Sequence, residues 1–324
     1  MSAIFVGPDM RLGIGHVTRR YAEILNAEYC EFTQTPKLYK YDLGFTFLMP
    51  LKEQILAFTA KFSPLCKHII VMAVCETETV DPGFSSLLQF QPVYCPSEFC
   101  RSVFERQFGG DWRLLRHYSP IPTNITPIQH DDYVFYTIGN VLDYRKNIPM
   151  LLEAFLRLNL PNSRLVLKST TGKPGEVKWN LPRVHIIQEA LSDEELDNLH
   201  NSCDCYINCS FSEGVGMGAV EAAIRDKPVI ITDYGGLKEY VKTPYTVICK
   251  LGEVGRDDNL FKKDMIWGKP DLYDLMRHMK TCYDNNIRTF DHSYTRSIND
   301  DVVAFFKHIY SIAMLSTYCK VKSL

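Results

Sequence analysis

The chain has 324 residues, 46% of them hydrophobic and 23% charged, and its 36 Lys and Arg against 38 Asp and Glu give a formal charge of −2. That composition excludes an intrinsically disordered chain, a collagen-like repeat and a disulfide-stapled miniprotein, and the near-neutral charge removes any global reason to coat nucleic acid or an anionic membrane. Eleven cysteines, an odd number, cannot all pair within the chain. The first residues show no basic segment followed by a long apolar run, so the expected compartment is reducing and cytoplasmic. No apolar run approaches the roughly 20 residues of a membrane-spanning helix, which leaves peripheral membrane contact open.

In chain order, Ala3 to Val6 reads as a strand, followed by a Gly-bearing loop and a helix from Thr18 to Leu25. His68 to Val74 and Val93 to Ser97 read as further strands, and Glu98 to Phe108 as a helix. The segment Ser119 to Pro127 carries three prolines and suits an extended linker. Beyond it come strands at Tyr133 to Ile138, Arg164 to Lys168, Val184 to Ile187, Cys205 to Cys209 and Pro228 to Thr232. Helices are expected at Pro149 to Leu158, Asp193 to Asn201 and Ala219 to Ile224. Strands alternating with helices imply parallel sheets covered on both faces, which bind ligands outside the carboxyl ends of their strands. The predicted class is therefore α/β, with two Rossmann-like domains whose parallel sheets face one another across a cleft. The expected domains are residues 1–125, completed by a C-terminal helix at 300–324, and residues 126–299.

The most informative segment runs from Ser210 to Ile224, after a strand and into a helix, and holds Glu213, Gly214, Val215, Gly216, Met217, Gly218 and Glu221. The three glycines allow a ligand close to the backbone, and the amides at a helix start favour an anion or a hydroxyl-rich group. Glu213 and Glu221 lie eight apart, the first in the loop and the second inside the helix, so they meet a ligand at separate points. Cations at a helix start oppose the helix dipole, so Arg145 and Lys146, just before the helix at Pro149, are not natural structural choices there. Cys203, Cys205 and Cys209 have the odd offsets of one strand face and lack the paired spacing of a zinc site. There is no Asp-X-Asp pair for a metal-bound diphosphate, so neither a metal nor another cofactor is expected.

Glu213 to Glu221, with the Pro228-Val229 strand and the Gly235-Gly236 turn, resembles the donor site of the retaining glycosyltransferases of family four, which have the two-Rossmann "B" fold. Ile138 to Asn147 followed by Leu151 to Phe155, and Val93 to Phe99, are similar to further motifs of that family. The resemblance implies that Arg145 and Lys146 bind a donor diphosphate, that Glu221 holds the ribose, and that Glu213 with the amides near Gly216 and Met217 holds the transferred sugar. It places Gly15, Gly139 and Gly214 to Gly218 against the donor. It also implies a nucleotide-sugar substrate, a metal-independent hexosyl transfer with retention, and an acceptor that is a glycan, a lipid, a protein or a modified nucleic acid. Near the acceptor, the sequence offers His16, Glu76 and Glu78. The glycine that usually follows the family's Lys is Asn147 here, a residue that also tolerates left-handed backbone. The short first domain and the segment Cys75 to Glu78 look like members from large DNA viruses, which would place the protein in a host cytoplasm. A nucleotide-sugar epimerase on the same fold and a catalytically idle sugar-nucleotide-binding subunit are the alternatives. Incubation of donor without acceptor separates the first, and a turnover assay the second.

Overall fold

The structure is a computed structural model that describes residues 2–9, 13–49, 51–122, 126–170, 175–258 and 260–321, the side chains only as far as residue 309. Two units emerge. The first comprises Met1–Pro120, Asp258–Phe261 and Ser297–Leu324, and the second Ile121–Asp257 and Lys262–Arg296. Residues 123–125 of the expected linker lie outside the described residues.

In the first unit the chain runs through β1 (Ala3–Gly7), α1 (Gly13–Ile24), β2 (Glu28–Glu31), β3 (Tyr41–Phe47), α2 (Lys52–Ala57), β4 (Cys66–Met72), β5 (Val93–Cys95), α3 (Glu98–Phe108) and β6 (Trp112–Leu114). Its six-stranded sheet has the order β2-β1-β3-β4-β5-β6, with every described pairing parallel. All five residues of β1 are buried, as expected of a parallel sheet covered on both faces. One face is covered by aromatic packing. Phe5, Tyr21 and Phe45 meet Phe306 from the last helix, with the Tyr21 and Phe306 ring centroids 5.0 Å apart. Burying a ring such as Phe306 contributes about 1.5–3 kcal/mol. The start of α3 is fixed by Ser97, whose hydroxyl accepts from the Cys100 amide at 3.3 Å, and its end by Gly109 at φ 62.

The second unit contains β7 (Tyr133–Gly139), α4 (Ile148–Leu158), β8 (Ser163–Ser169), β9 (Val184–Ile187), α5 (Asp193–Asn201), β10 (Cys205–Asn208), α6 (Met217–Ile224), β11 (Val229–Thr232), α7 (Leu237–Tyr240) and β12 (Thr246–Val247). An antiparallel hairpin of β13 (Cys249–Glu253) and β14 (Ile266–Pro270) follows, then α8 (Leu272–Asp284) and α9 (Ser293–Val321), which crosses into the first unit at Ser297. The parallel sheet has the order β12-β11-β10-β7-β8-β9. Strand β7 forms first, β8 and β9 add on one side, and β10 to β12 on the other, so the order reverses between β7 and β10. That is the position at which open α/β sheets place their ligands.

Cys205 and Cys209 are buried with Ile207 in the apolar core of this unit, where they pack as small apolar residues. Burial pushes the Cys203 and Cys209 thiols up to about 12. Among the described residues, no helix is long and apolar enough to cross a membrane.

Candidate functional site

Two loops leave the carboxyl ends of β7 and β10 on either side of the reversal. After β7, the Asp143 carboxylate accepts from the Arg145 amide at 2.9 Å and so fixes a single 3-10 turn at Tyr144–Lys146. Asn147 then turns into α4 with a left-handed backbone at φ 54, and its side-chain Nδ2 donates to the Cys209 carbonyl at 3.2 Å, tying the two loops together. Gly139 leaves room for the Lys146 side chain, whose Cε would lie 3.4 Å from a Cβ at that position. Arg145 and Lys146 thus precede α4 on a rigid turn instead of forming its solvated first residues.

After β10, the chain passes through Ser210 to Glu213. The Gly235-Gly236 turn behind it supports this segment. The Gly236 amide donates to the Glu213 carbonyl at 2.8 Å, and Gly235, at φ 78, approaches so closely that a Cβ would sit 2.7 Å from that carbonyl. Only glycine combines that backbone angle with that approach.

The side chains of the two loops converge on the Glu213 carboxylate, which is 5% exposed. Its Oε2 accepts from Arg145 Nη1 at 2.7 Å, and its Oε1 from Lys146 Nζ at 2.6 Å, Ser210 Oγ at 2.8 Å and Asn208 Nδ2 at 3.3 Å. Arg145 Nη1 also donates to the Ser212 carbonyl at 2.8 Å, and Arg145 Nη2 lies 3.5 Å from an Asp143 oxygen. Burial opposes ionisation of Glu213, but the Arg145 and Lys146 cations and the donated hydrogen bonds outweigh it and hold the carboxyl well below the usual carboxylate range. A small pocket beside the cluster is lined by Thr137, Gly139, Lys146, Asn208, Cys209 and Ser210.

The glycines divide by reason. Gly216 begins α6 in a left-handed conformation, φ 75, which suits the backbone-approach role the sequence assigns to it. Gly218 does not fit that role. A Cβ there would overlap the Tyr206 hydroxyl and lie 3.0 Å from the Ile138 carbonyl, so its need for glycine comes from helix packing on the strand ends. The Tyr206 hydroxyl donates to the Ile138 carbonyl at 3.0 Å and accepts from the Ile138 amide at 3.2 Å. Gly214 and Val215 are buried in the loop, and Met217, half-buried, opens α6. Glu221 is half-buried one turn into α6, and its carbonyl accepts from Arg225 at 2.8 Å.

In the first unit, the candidate residues engage their own neighbourhoods. Gly15 lies inside α1, not in a loop before Thr18, and a Cβ there would overlap the Asp9 carbonyl and be 2.8 Å from that of Pro8. His16 Nδ1 is 3.4 Å from Arg19 Nη2, and Arg19 also pairs with Glu23 at 2.6 Å. Glu76 and Glu78 follow β4. Glu78, offered by the sequence as an acceptor residue, pairs with Arg106 of α3 at 3.2 Å, and its carbonyl accepts from the same guanidinium at 2.6 Å.

Sequence reasoning missed Asp143, Asn208 and Ser210 as parts of the cluster. A strand-ending Asn two residues before a Ser and five before the motif Glu was the available signal.

Residues 123–253 match the family model described as glycosyl transferases group 1. An uncharacterized glycosyltransferase of Methanocaldococcus jannaschii is 26% identical over 174 residues, which are 53% of this chain and 48% of that protein. The chain thus spans about half the length of this curated relative. Among solved structures, a glycosyltransferase from Rickettsia africae superposes with a TM-score of 0.65 at 12% identity, over 97% of this chain and 98% of the other. An Anabaena protein crystallised with UDP and glucose gives 0.62 at 14% identity over 95% and 100%. A sucrose-phosphate synthase from Thermosynechococcus elongatus gives 0.58 at 14% over the whole of both chains. The fold is the two-Rossmann fold of these solved structures, and residues 123–253, which match the glycosyl transferases group 1 model, carry Arg145, Lys146, Glu213 and Glu221.

Proposed function

We propose that the protein is a glycosyltransferase that moves a sugar, with retention, from a nucleoside-diphosphate sugar to an acceptor hydroxyl and needs no metal. The observation that carries this reading is the meeting of Arg145 and Lys146 on one buried carboxylate at the reversal point of the sheet, 2.7 and 2.6 Å from Glu213. Departure of a nucleoside diphosphate builds negative charge on the bridging oxygen. Two fixed cations stabilise that charge where water is scarce, and charge-assisted contacts are about twice as strong as neutral ones. Glu221, on the neighbouring helix, suits the ribose hydroxyls, and Glu213 suits the sugar. With the leaving phosphate oxygen helping to deprotonate the attacking hydroxyl on the same face, no protein nucleophile is required. His16, Glu76 and Glu78 remain the proposed acceptor contacts.

The UDP-glucose bound by the Anabaena neighbour is a sensible first donor to try. The direct test is a panel of nucleotide sugars scored by thermal stabilisation, followed by diphosphate release with and without EDTA. A donor present at 100 times its dissociation constant adds roughly 2.7 kcal/mol of stability. Release that persists in EDTA, with product of the donor's anomeric configuration by NMR, is the expected result. Loss of release in EDTA that manganese restores, or inverted product, would contradict it.

A further inference from the structure

The charge count of the cluster opens a question about order. Among the described residues, Arg145 and Lys146 face two carboxylates, Glu213 and Asp143, so these four groups already balance in charge. Each carboxylate oxygen has two lone pairs; Glu213 Oε1 is saturated by Lys146, Ser210 and Asn208, and Oε2 accepts from Arg145. In this arrangement Oε1 has no acceptor capacity left for a sugar hydroxyl, and Oε2 is held against the Arg145 guanidinium. A diphosphate drawn to the same cations would also stand beside a buried like charge, which is unfavourable.

We infer that Glu213 is a resident counter-anion that the donor's diphosphate displaces from Arg145 and Lys146, and that its Oε1 becomes available to the sugar only then. This inference rests on the function proposed above. A displaced Glu213 keeps Ser210 and Asn208 as donors, and the sugar hydroxyls replace the two cations, so the buried charge stays hydrogen-bonded throughout. A free sugar brings no charge to exchange for the cations and cannot free Glu213 Oε1. The site therefore distinguishes a nucleotide sugar from the same sugar alone, and does so through the diphosphate.

Calorimetric titration of the full chain with inorganic pyrophosphate tests this without knowledge of the donor. Glu213→Gln should bind pyrophosphate about tenfold or more tighter than wild type, because one competing charge-assisted contact set is removed. Since a buried residue is altered, Ser210→Ala provides a second variant. It leaves every charge in place, loosens Glu213 by one hydrogen bond, and should tighten binding about threefold. The double variant Arg145→Ala/Lys146→Ala should lose binding. Glu213→Gln and Ser210→Ala that bind no tighter than wild type, while the double variant loses binding, would overturn the counter-anion role and leave the phosphate clamp standing. A double variant that binds like wild type would overturn the clamp itself, and this inference with it. Should Glu213→Gln fail to fold, the Ser210→Ala result decides.

Discussion

The two units use the same architecture, yet their candidate residues behave differently. Each sheet reverses its strand order, between β1 and β3 in the first unit and between β7 and β10 in the second. In the second, residues more than sixty positions apart meet within hydrogen-bond distance: Arg145 and Lys146 reach Glu213, and Asn147 reaches the Cys209 carbonyl. In the first, His16 meets Arg19, three residues away, and Glu78 is tied to the nearby helix α3. A switch point supplies a location, and convergence of side chains from separate loops supplies chemistry. The second unit has both.

The sharpest way to break this contrast is to remove the converging cations. Arg145→Ala and Lys146→Ala are each expected to lower turnover about 10²-fold or more, near 2.7 kcal/mol of transition-state stabilisation, with the melting transition retained. Wild-type turnover in both would reduce the second unit's cluster to a structural ion pair. Glu221→Gln should have a smaller effect of another kind. It acts on a contact made in both ground and transition states, so donor KM should rise about tenfold while kcat holds. A fall in kcat at constant KM would move Glu221 from ribose holder to the reacting centre.

The pH dependence of stability sharpens the comparison from the electrostatic side. The Glu213 carboxyl is depressed in the folded state, so between its folded and unfolded values the unfolded chain binds more protons and stability rises with pH. The contribution is complete above the ordinary carboxylate value of 4.5 and is lost as pH falls below it. Urea unfolding at pH 3 to 6 should show this slope in wild type and a shallower one in Glu213→Gln, and equal slopes would remove the folded-state stabilisation. The smallest effect belongs to the first unit. The Glu78–Arg106 pair is exposed, 31% and 57%, so Glu78→Gln should change stability by about 0.5 kcal/mol or less in the same assay. A loss of several times that would show the pair to be worth more than an exposed ion pair.

Much of the second unit is readable from sequence because its signals are local. Helix α5 follows a complete capping box of Ser192 and Glu195, and its span Asp193–Asn201 is the expected one. Helix α3 likewise starts on its Ser97 cap. Strand β3, which pairs with both β1 and β4, escaped notice, because Asp42 and Gly44 interrupt its apolar run. Gly44 is needed there since a Cβ would lie 2.5 Å from the Cys66 sulfur, a partner far along the chain. The glycines of the site taught the same lesson. Sequence showed that Gly216, Gly218 and Gly235 mattered, but whether each serves a backbone angle, a helix contact or a neighbouring carbonyl depends on residues that only the fold brings near. The β13–β14 hairpin, whose Trp267 stacks on Phe211 at 5.1 Å, also carries no local pattern that announces it.

The contact between Tyr206 and Gly218 bears on how this chain can change over time. The phenol that bridges Ile138 fills the space a side chain at 218 would occupy, so neither position is free to vary alone: a methyl at 218 needs the hydroxyl gone, and a phenylalanine at 206 leaves the Ile138 amide and carbonyl without their partner. Viable descendants must cross this pair by a joint step or through a weakened intermediate. Among relatives the two positions should therefore drift as a coupled pair, and a glycine that looks like part of a ligand loop would be kept by a tyrosine twelve residues before it.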